Sequence, residues 1–238
     1  MSNQLRPIPI RTGAPRTATE TGIAPAAAKV LRNTYTLLSM TLIFSAVMAA
    51  VSTAIGTPYG LGLVCSLVSL GLIWFVLPRT ANSVKGIYVV FAVTGLLGFG
   101  LGPVLNMYLK AIPNGGMLVA SALGGTGAIF LGLSAYVLTT KKDFSFMGGF
   151  LMTGVIAVLV LSLGSLAASF MGFNVSGVFL AISAACMMLF SALILFDTSR
   201  IIHGGETNYV MATISLYLNI YNIFTSLLHL LGFSAVDD

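Results

Sequence analysis

The chain has 238 residues, of which 57% are hydrophobic and only 7% charged. A soluble globular domain carries about 45–50% apolar and about 25% charged residues, so eleven Lys and Arg with six Asp and Glu leave too little charge to coat a water-facing surface. Composition therefore excludes a soluble enzyme, a nucleic-acid binder and a disulfide scaffold, and it predicts an integral membrane protein.

Residues 1–32 hold Pro7, Pro9, Pro15 and Pro25, five basic residues against Glu20, and no apolar periodicity. They read as a disordered basic cytoplasmic tail, and residues 33–238 as a transmembrane domain. The tail serves either as a topology signal that touches anionic lipid or as a handle for a cytoplasmic partner. It is too long for the basic head of a secretory signal, so the first apolar run reads as an uncleaved anchor.

Uncharged runs follow at Tyr35–Ile55, Tyr59–Leu77, Gly86–Leu109, Gly115–Leu138, Met147–Met171, Ser176–Phe196 and Val210–Phe233. A spanning helix needs about 20 apolar residues to cross about 30 Å of hydrocarbon. Barrel strands would be roughly half that length and alternate in polarity. The prediction is an all-α integral membrane protein, a bundle of seven transmembrane helices. The seventh run is the most polar of the set and either spans or re-enters.

Basic residues orient the bundle. Arg6, Arg11, Arg16, Lys29, Arg32, Arg79, Lys85, Lys141, Lys142 and Arg200 fall on one side, and Lys110 alone on the other. Positive residues stay cytoplasmic, so the N-terminus is expected inside and, if the last run spans, Asp237 and Asp238 outside.

Within the third run Gly98-x-x-x-Gly102 invites a close helix crossing, as does the stripe Ala120, Gly124, Ala128 and Gly132 in the fourth. Gly102 and Pro103 should kink the third helix, since proline cannot donate to the ladder. Asn106 lies one turn onward, and the break is either a packing kink or part of a pore lining.

In the sixth run Asp197 ends the apolar stretch, either as an interfacial anchor paired with Arg200 at i+3 or facing a partner inside the bundle. Ser215, Asn219, Asn222, Ser226 and His229 recur at spacings of four and three, so they share one helical face. Such a face should turn inward. Asn219 and Asn222 beside Asp197 would make a polar centre that is either structural glue or an ion or proton path. Catalysis has little support. No His-Glu-x-x-His or Gly-x-Ser-x-Gly occurs, and one intramembrane carboxylate does not make an aspartyl dyad. Cys65 and Cys186 lack neighbours at ligand spacing and read as small buried hydrophobes. Neither a metal nor a cofactor is implied.

The segments Lys29-Val-Leu-Arg-Asn-Thr-Tyr35, Gly102-Pro-Val-Leu-Asn-Met-Tyr108, Ser134-Ala-Tyr-Val-Leu-Thr-Thr-Lys-Lys-Asp143, Ile202-His-Gly-Gly-Glu-Thr-Asn-Tyr209 and Ser215-Leu-Tyr-Leu-Asn-Ile-Tyr-Asn-Ile-Phe224 are similar to the transmembrane Bax inhibitor motif family. The resemblance covers roughly residues 29–233 and implies six helices wrapped around a central seventh. It is closest to a bacterial inner-membrane branch that modulates the membrane-anchored ATP-dependent protease FtsH, which implies that protease complex as partner. The family's calcium-leak members carry two aspartates sharing a proton; Asp197 matches the first and Asn219 stands at the second. A carboxylate beside an amide forms no coupled acidic pair. The pH-sensitive calcium or cation leak is therefore the alternative to protease modulation.

Overall fold

The computed structural model describes residues 23–237, and each of the seven apolar runs falls on one helix. These are α1 (Pro25–Ala54), α2 (Tyr59–Thr80), α3 (Val84–Ala111), α4 (Gly115–Thr140), α5 (Ser145–Phe170), α6 (Ser176–Ile202) and α7 (Tyr209–Asp237). All are long and apolar enough to cross a membrane. The seventh run is one continuous helix of 29 residues, long enough to span and not re-entrant. The protein is a multi-pass membrane protein.

Helices overrun the apolar runs at both ends of the chain's polarity pattern. Pro25 sits in the first turn of α1, where its missing N–H costs nothing, and Ala26, Ala27 and Ala28 then propagate the helix. The boundary drawn at residue 32 thus falls inside α1. Residues 1–22, most of the stretch assigned to the tail, lie outside the described residues. Likewise α6 continues past Asp197 to Ile202 and stops where Gly204 takes a φ of 77°, the left-handed turn that favours glycine.

α7 is the central helix. It packs against α1, α3, α4 and α6, while α2 packs on α3 and α5 on α6 as outer staves. The expected ring of six is therefore four contacting helices and two outside them. The reason is visible in burial: α7 hides Leu216, Tyr217, Ile223 and Leu228 almost completely, whereas α5 buries little beyond Leu151. Tyr217 ties the centre together. Its hydroxyl shares a 2.6 Å hydrogen bond with Ser45 of α1 and donates to the Thr94 carbonyl of α3 at 3.2 Å.

The two small-residue motifs behave differently. Gly98 and Gly102 lie so close to α1 that a Cβ on Gly98 would stand 2.3 Å from the Ser45 carbonyl oxygen, and one on Gly102 2.0 Å from Ser52 Oγ. That is the expected tight crossing. The α4 stripe makes none. Ala120, Gly124, Ala128 and Gly132 are all exposed, and a Cβ on Gly124 or Gly132 would meet nothing within 4 Å. α4 packs instead through Leu118, Ala122, Thr126, Phe130, Ser134 and Val137, nearly the opposite face at 100° per residue.

α3 stays one α-helix through Pro103. Asn106 Nδ2 donates to the Thr53 carbonyl at 2.9 Å, and Thr53 Oγ1 reaches the Gly102 carbonyl at 3.5 Å, so this segment is tied to α1 as a packing site. α2 carries a π-helical stretch, Leu72–Val76, just before Pro78. A proline opens the ladder to such re-registration. Trp74 and Phe75 on that stretch point outward, 75% and 63% exposed.

Candidate functional site

The polar face of α7 is laid along α6. Asn219 Nδ2 donates to Asp197 Oδ2 at 2.8 Å. Farther along, His229 Nδ1 and Ser183 Oγ stand 2.7 Å apart. The helices are antiparallel, so residues advancing on α7 meet residues receding on α6. Two polar rungs result. The spacing of four and three on α7 produces this seam because those positions stack on one side of a 3.6-residue turn.

Asp197 is therefore not at the helix end. More than a turn of α6 follows it, through Thr198, Ser199, Ile201 and Ile202, all buried. Of the two roles open to Asp197, the ion pair with Arg200 is not formed. Arg200 turns the other way, to Glu206 at 3.6 Å and the Gly205 carbonyl at 3.1 Å, with its guanidinium over the Phe196 ring. Three residues on, Arg200 follows the chain out of the bundle, whereas Asp197 points in toward α7. Asn222 also departs from expectation. Its Nδ2 donates to the Leu218 carbonyl of its own helix at 2.7 Å, and it makes no rung to Asp197. Ser215, one turn before Asn219, is half-buried on the same face. Of the predicted polar centre, the structure brings together Asp197 and Asn219. Gly102, Pro103 and Asn106 belong to the separate α1–α3 crossing.

Sequence reasoning passed over several hydroxyls. Thr198, next to Asp197, is fully buried, and its Oγ1 lacks a hydrogen-bond partner among the described residues, as do Tyr35 OH on α1 and Ser134 Oγ on α4. Adjacency to Asp197 was the one available signal for Thr198. Nothing in the local spacing of Tyr35 or Ser134 marks a buried hydroxyl.

The connectors at this end of the bundle are fastened to the same helices. Phe144 N donates to Ser199 Oγ at 2.9 Å, bringing the α4–α5 connector onto α6. In that connector Asp143 accepts from the Ser145 backbone N–H at 2.8 Å. The Ser145 side chain, then its backbone N–H, holds the exposed Asp143 carboxyl below the usual carboxylate range. Asn208 caps α7: its Oδ1 accepts from Val210 N and Met211 N, while Nδ2 donates to Asn82 Oδ1 and the Ala81 carbonyl in the α2–α3 connector. His203 stays with its own helix at the Ser199 carbonyl, well separated in role from His229. Cys65 and Cys186 are free and half-buried, less enclosed than their apolar settings suggested. Among the described residues, no three His, Cys, Asp or Glu side chains gather as a metal would require.

Chemically, an amide donating to a carboxylate holds two helices in register. It presents no pair of carboxylates to share a proton.

Known proteins resemble the chain over most of its length. A protein of Escherichia coli K12 named modulator of FtsH protease YccA is 52% identical over 209 residues, 88% of this chain and 92% of its own. An uncharacterised membrane protein of Vibrio cholerae is 52% identical over 210 residues, with the same shares covered. An uncharacterised protein of Pseudomonas aeruginosa is 50% identical over 209 residues, 88% of this chain and 91% of its own. A family model described as Bax1-I, inhibitor of apoptosis-promoting Bax1, matches residues 27–236, and this chain belongs to that family.

Proposed function

We propose that this protein is an inner-membrane partner of an FtsH-type ATP-dependent protease and restrains its action on other membrane substrates. The observation that carries the reading is the 52% identity, over 88% of this chain, with the Escherichia coli protein named as a modulator of that protease. The mechanism is occupancy. The segment before Pro25 carries Arg6, Arg11 and Arg16, three of the ten Lys and Arg on the side read as cytoplasmic, and offers the protease a place to engage. The bundle behind it resists extraction, because α1 and α3 cross closely and the central helix is held by the α6–α7 rungs. In this reading Asp197, Asn219, Asn222 and Ser215 are structural.

The test is co-purification from detergent-solubilised membranes, with the full chain and a variant lacking residues 2–20, probed for the protease. Wild type is expected to retain the protease, and the deletion to lose binding or turnover. Absence of protease from the wild-type sample would overturn the partner. Calcium entry into proteoliposomes that disappears with Asp197→Asn would move the assignment to the leak reading, which the amide at Asn219 disfavours.

A further inference from the structure

A cavity of about 620 Å³ lies in the half of the bundle that contains the carboxyl ends of α1 and α3, walled by α1, α3, α4 and α7. Its size is within the roughly 300–1,000 Å³ of small-molecule sites. It exists because two neighbouring helices stand apart here: no Cα of α1 comes within 8 Å of any in α4, and the Tyr35 and Phe130 rings that join them, 5.8 Å apart, lie outside the cavity wall. On the α1 side of that gap stand Ala46, Ala50 and Ala54, and on the α4 side Leu123 and Gly127. Three alanines spaced by four and a glycine leave it open, and Leu123, 56% exposed, puts its rim on the outer surface of the bundle.

The walls are almost wholly apolar, and of their hydroxyls only that of Tyr221 is without a hydrogen-bond partner among the described residues. Ser45 and Tyr217 hold each other, Thr53 Oγ1 donates to the Ala49 carbonyl, and Thr126 Oγ1 to the Ala122 carbonyl. Tyr221 contributes its ring, 6.2 Å from that of Tyr217. Water in such a space finds too few partners, and an empty cavity forfeits the packing of every wall. The gap faces the hydrocarbon layer that seven spanning helices require, where alkyl chains are the solvent.

We propose that this cleft is a lipid site that takes one acyl chain of a membrane phospholipid, inserted sideways between α1 and α4.

The test uses the full chain in vesicles of phosphatidylethanolamine and phosphatidylglycerol, with a trace of phosphatidylethanolamine carrying a diazirine midway along one acyl chain. After irradiation, labelled residues are mapped by peptide mass spectrometry. Label is expected on the cavity floor, at Ala49, Leu101 and Phe224, each only 7% exposed, as well as on outward side chains such as Phe150 and Leu159. Gly127→Leu, at a position with open space around a new Cβ, and independently Ala50→Phe should each lower floor labelling several-fold. Labelling of Phe150 and Leu159 should not change. Label confined to the outer surface of the wild type, or floor label indifferent to both fillings, would overturn the proposal. So would floor labelling by a diazirine-bearing free fatty acid where the phospholipid gives none.

Discussion

Where α1 crosses α3, two glycines let backbone approach backbone, and the hydrogen bonds of Asn106 and Thr53 lie at one end of that close contact. Where α6 runs beside α7, side chains bridge the two helices with hydrogen bonds between Asp197 and Asn219 and between Ser183 and His229. Lipid gives neither pair a hydrophobic reason to associate, so each must supply its own attraction. The two solutions fail differently. A close approach tolerates no added volume, while a bonded seam tolerates volume at its edges and suffers when one partner is removed.

The largest expected effect breaks the first crossing. Gly98→Leu puts side-chain carbon where the Ser45 carbonyl already stands, and backbone must move to admit it. Overpacking of this kind costs roughly 1–3 kcal/mol and occasionally more. In a thermal-melt series monitored by size-exclusion chromatography in detergent, this variant should lose folded protein at the lowest temperature.

An intermediate loss should follow from opening the seam. Asp197→Ala leaves the Asn219 amide without its acceptor, at about 1–3 kcal/mol for an unsatisfied buried group. A double-mutant cycle with Asn219→Ala isolates the pair itself, where membrane hydrogen bonds average about 0.6 kcal/mol and reach about 1.7. A coupling indistinguishable from zero would deny this rung any part in holding the helices.

The smallest effect sharpens the comparison. Gly132→Ala, on the exposed α4 stripe, adds a methyl into open space and should change stability by no more than about 1 kcal/mol, upward if anything, from helix propensity. A loss as large as that of Gly98→Leu would mean that the stripe meets a partner after all.

These glycines also mark how far a sequence can be read. Gly98-x-x-x-Gly102 and the α4 stripe have the same spacing, and that spacing says only that a neighbour is able to approach. Whether one does depends on how α4 rotates to seat Phe130 and Val137 on the core, a result of the whole assembly. The Asp197–Asn219 bond was legible because a lone carboxylate and a polar helical face in hydrocarbon have few ways to be satisfied. Asn222 escaped the same logic by bonding the Leu218 carbonyl one turn back, an outlet that every Asn in a helix possesses. The overrun of α6 beyond Asp197 was hidden because the polarity of Thr198, Ser199 and Arg200 ends an apolar run without ending a helix. Nor did spacing reveal the tie between Ser45 and Tyr217, 172 residues apart.

Trp74 has an optical consequence. It is the chain's only tryptophan and stands on α2, an outer stave, facing away from the other helices. Intrinsic tryptophan emission from this protein therefore reports the fluid around one peripheral helix. Brominated lipids should quench it, and its wavelength should shift when α2 peels away, yet separation of α6 from α7 will leave the spectrum unmoved. The neighbouring Tyr217 and Tyr221 rings, tilted by 31°, give the centre a separate signature in near-ultraviolet circular dichroism. Recording both signals during one denaturation distinguishes the loss of a stave from the collapse of the hub.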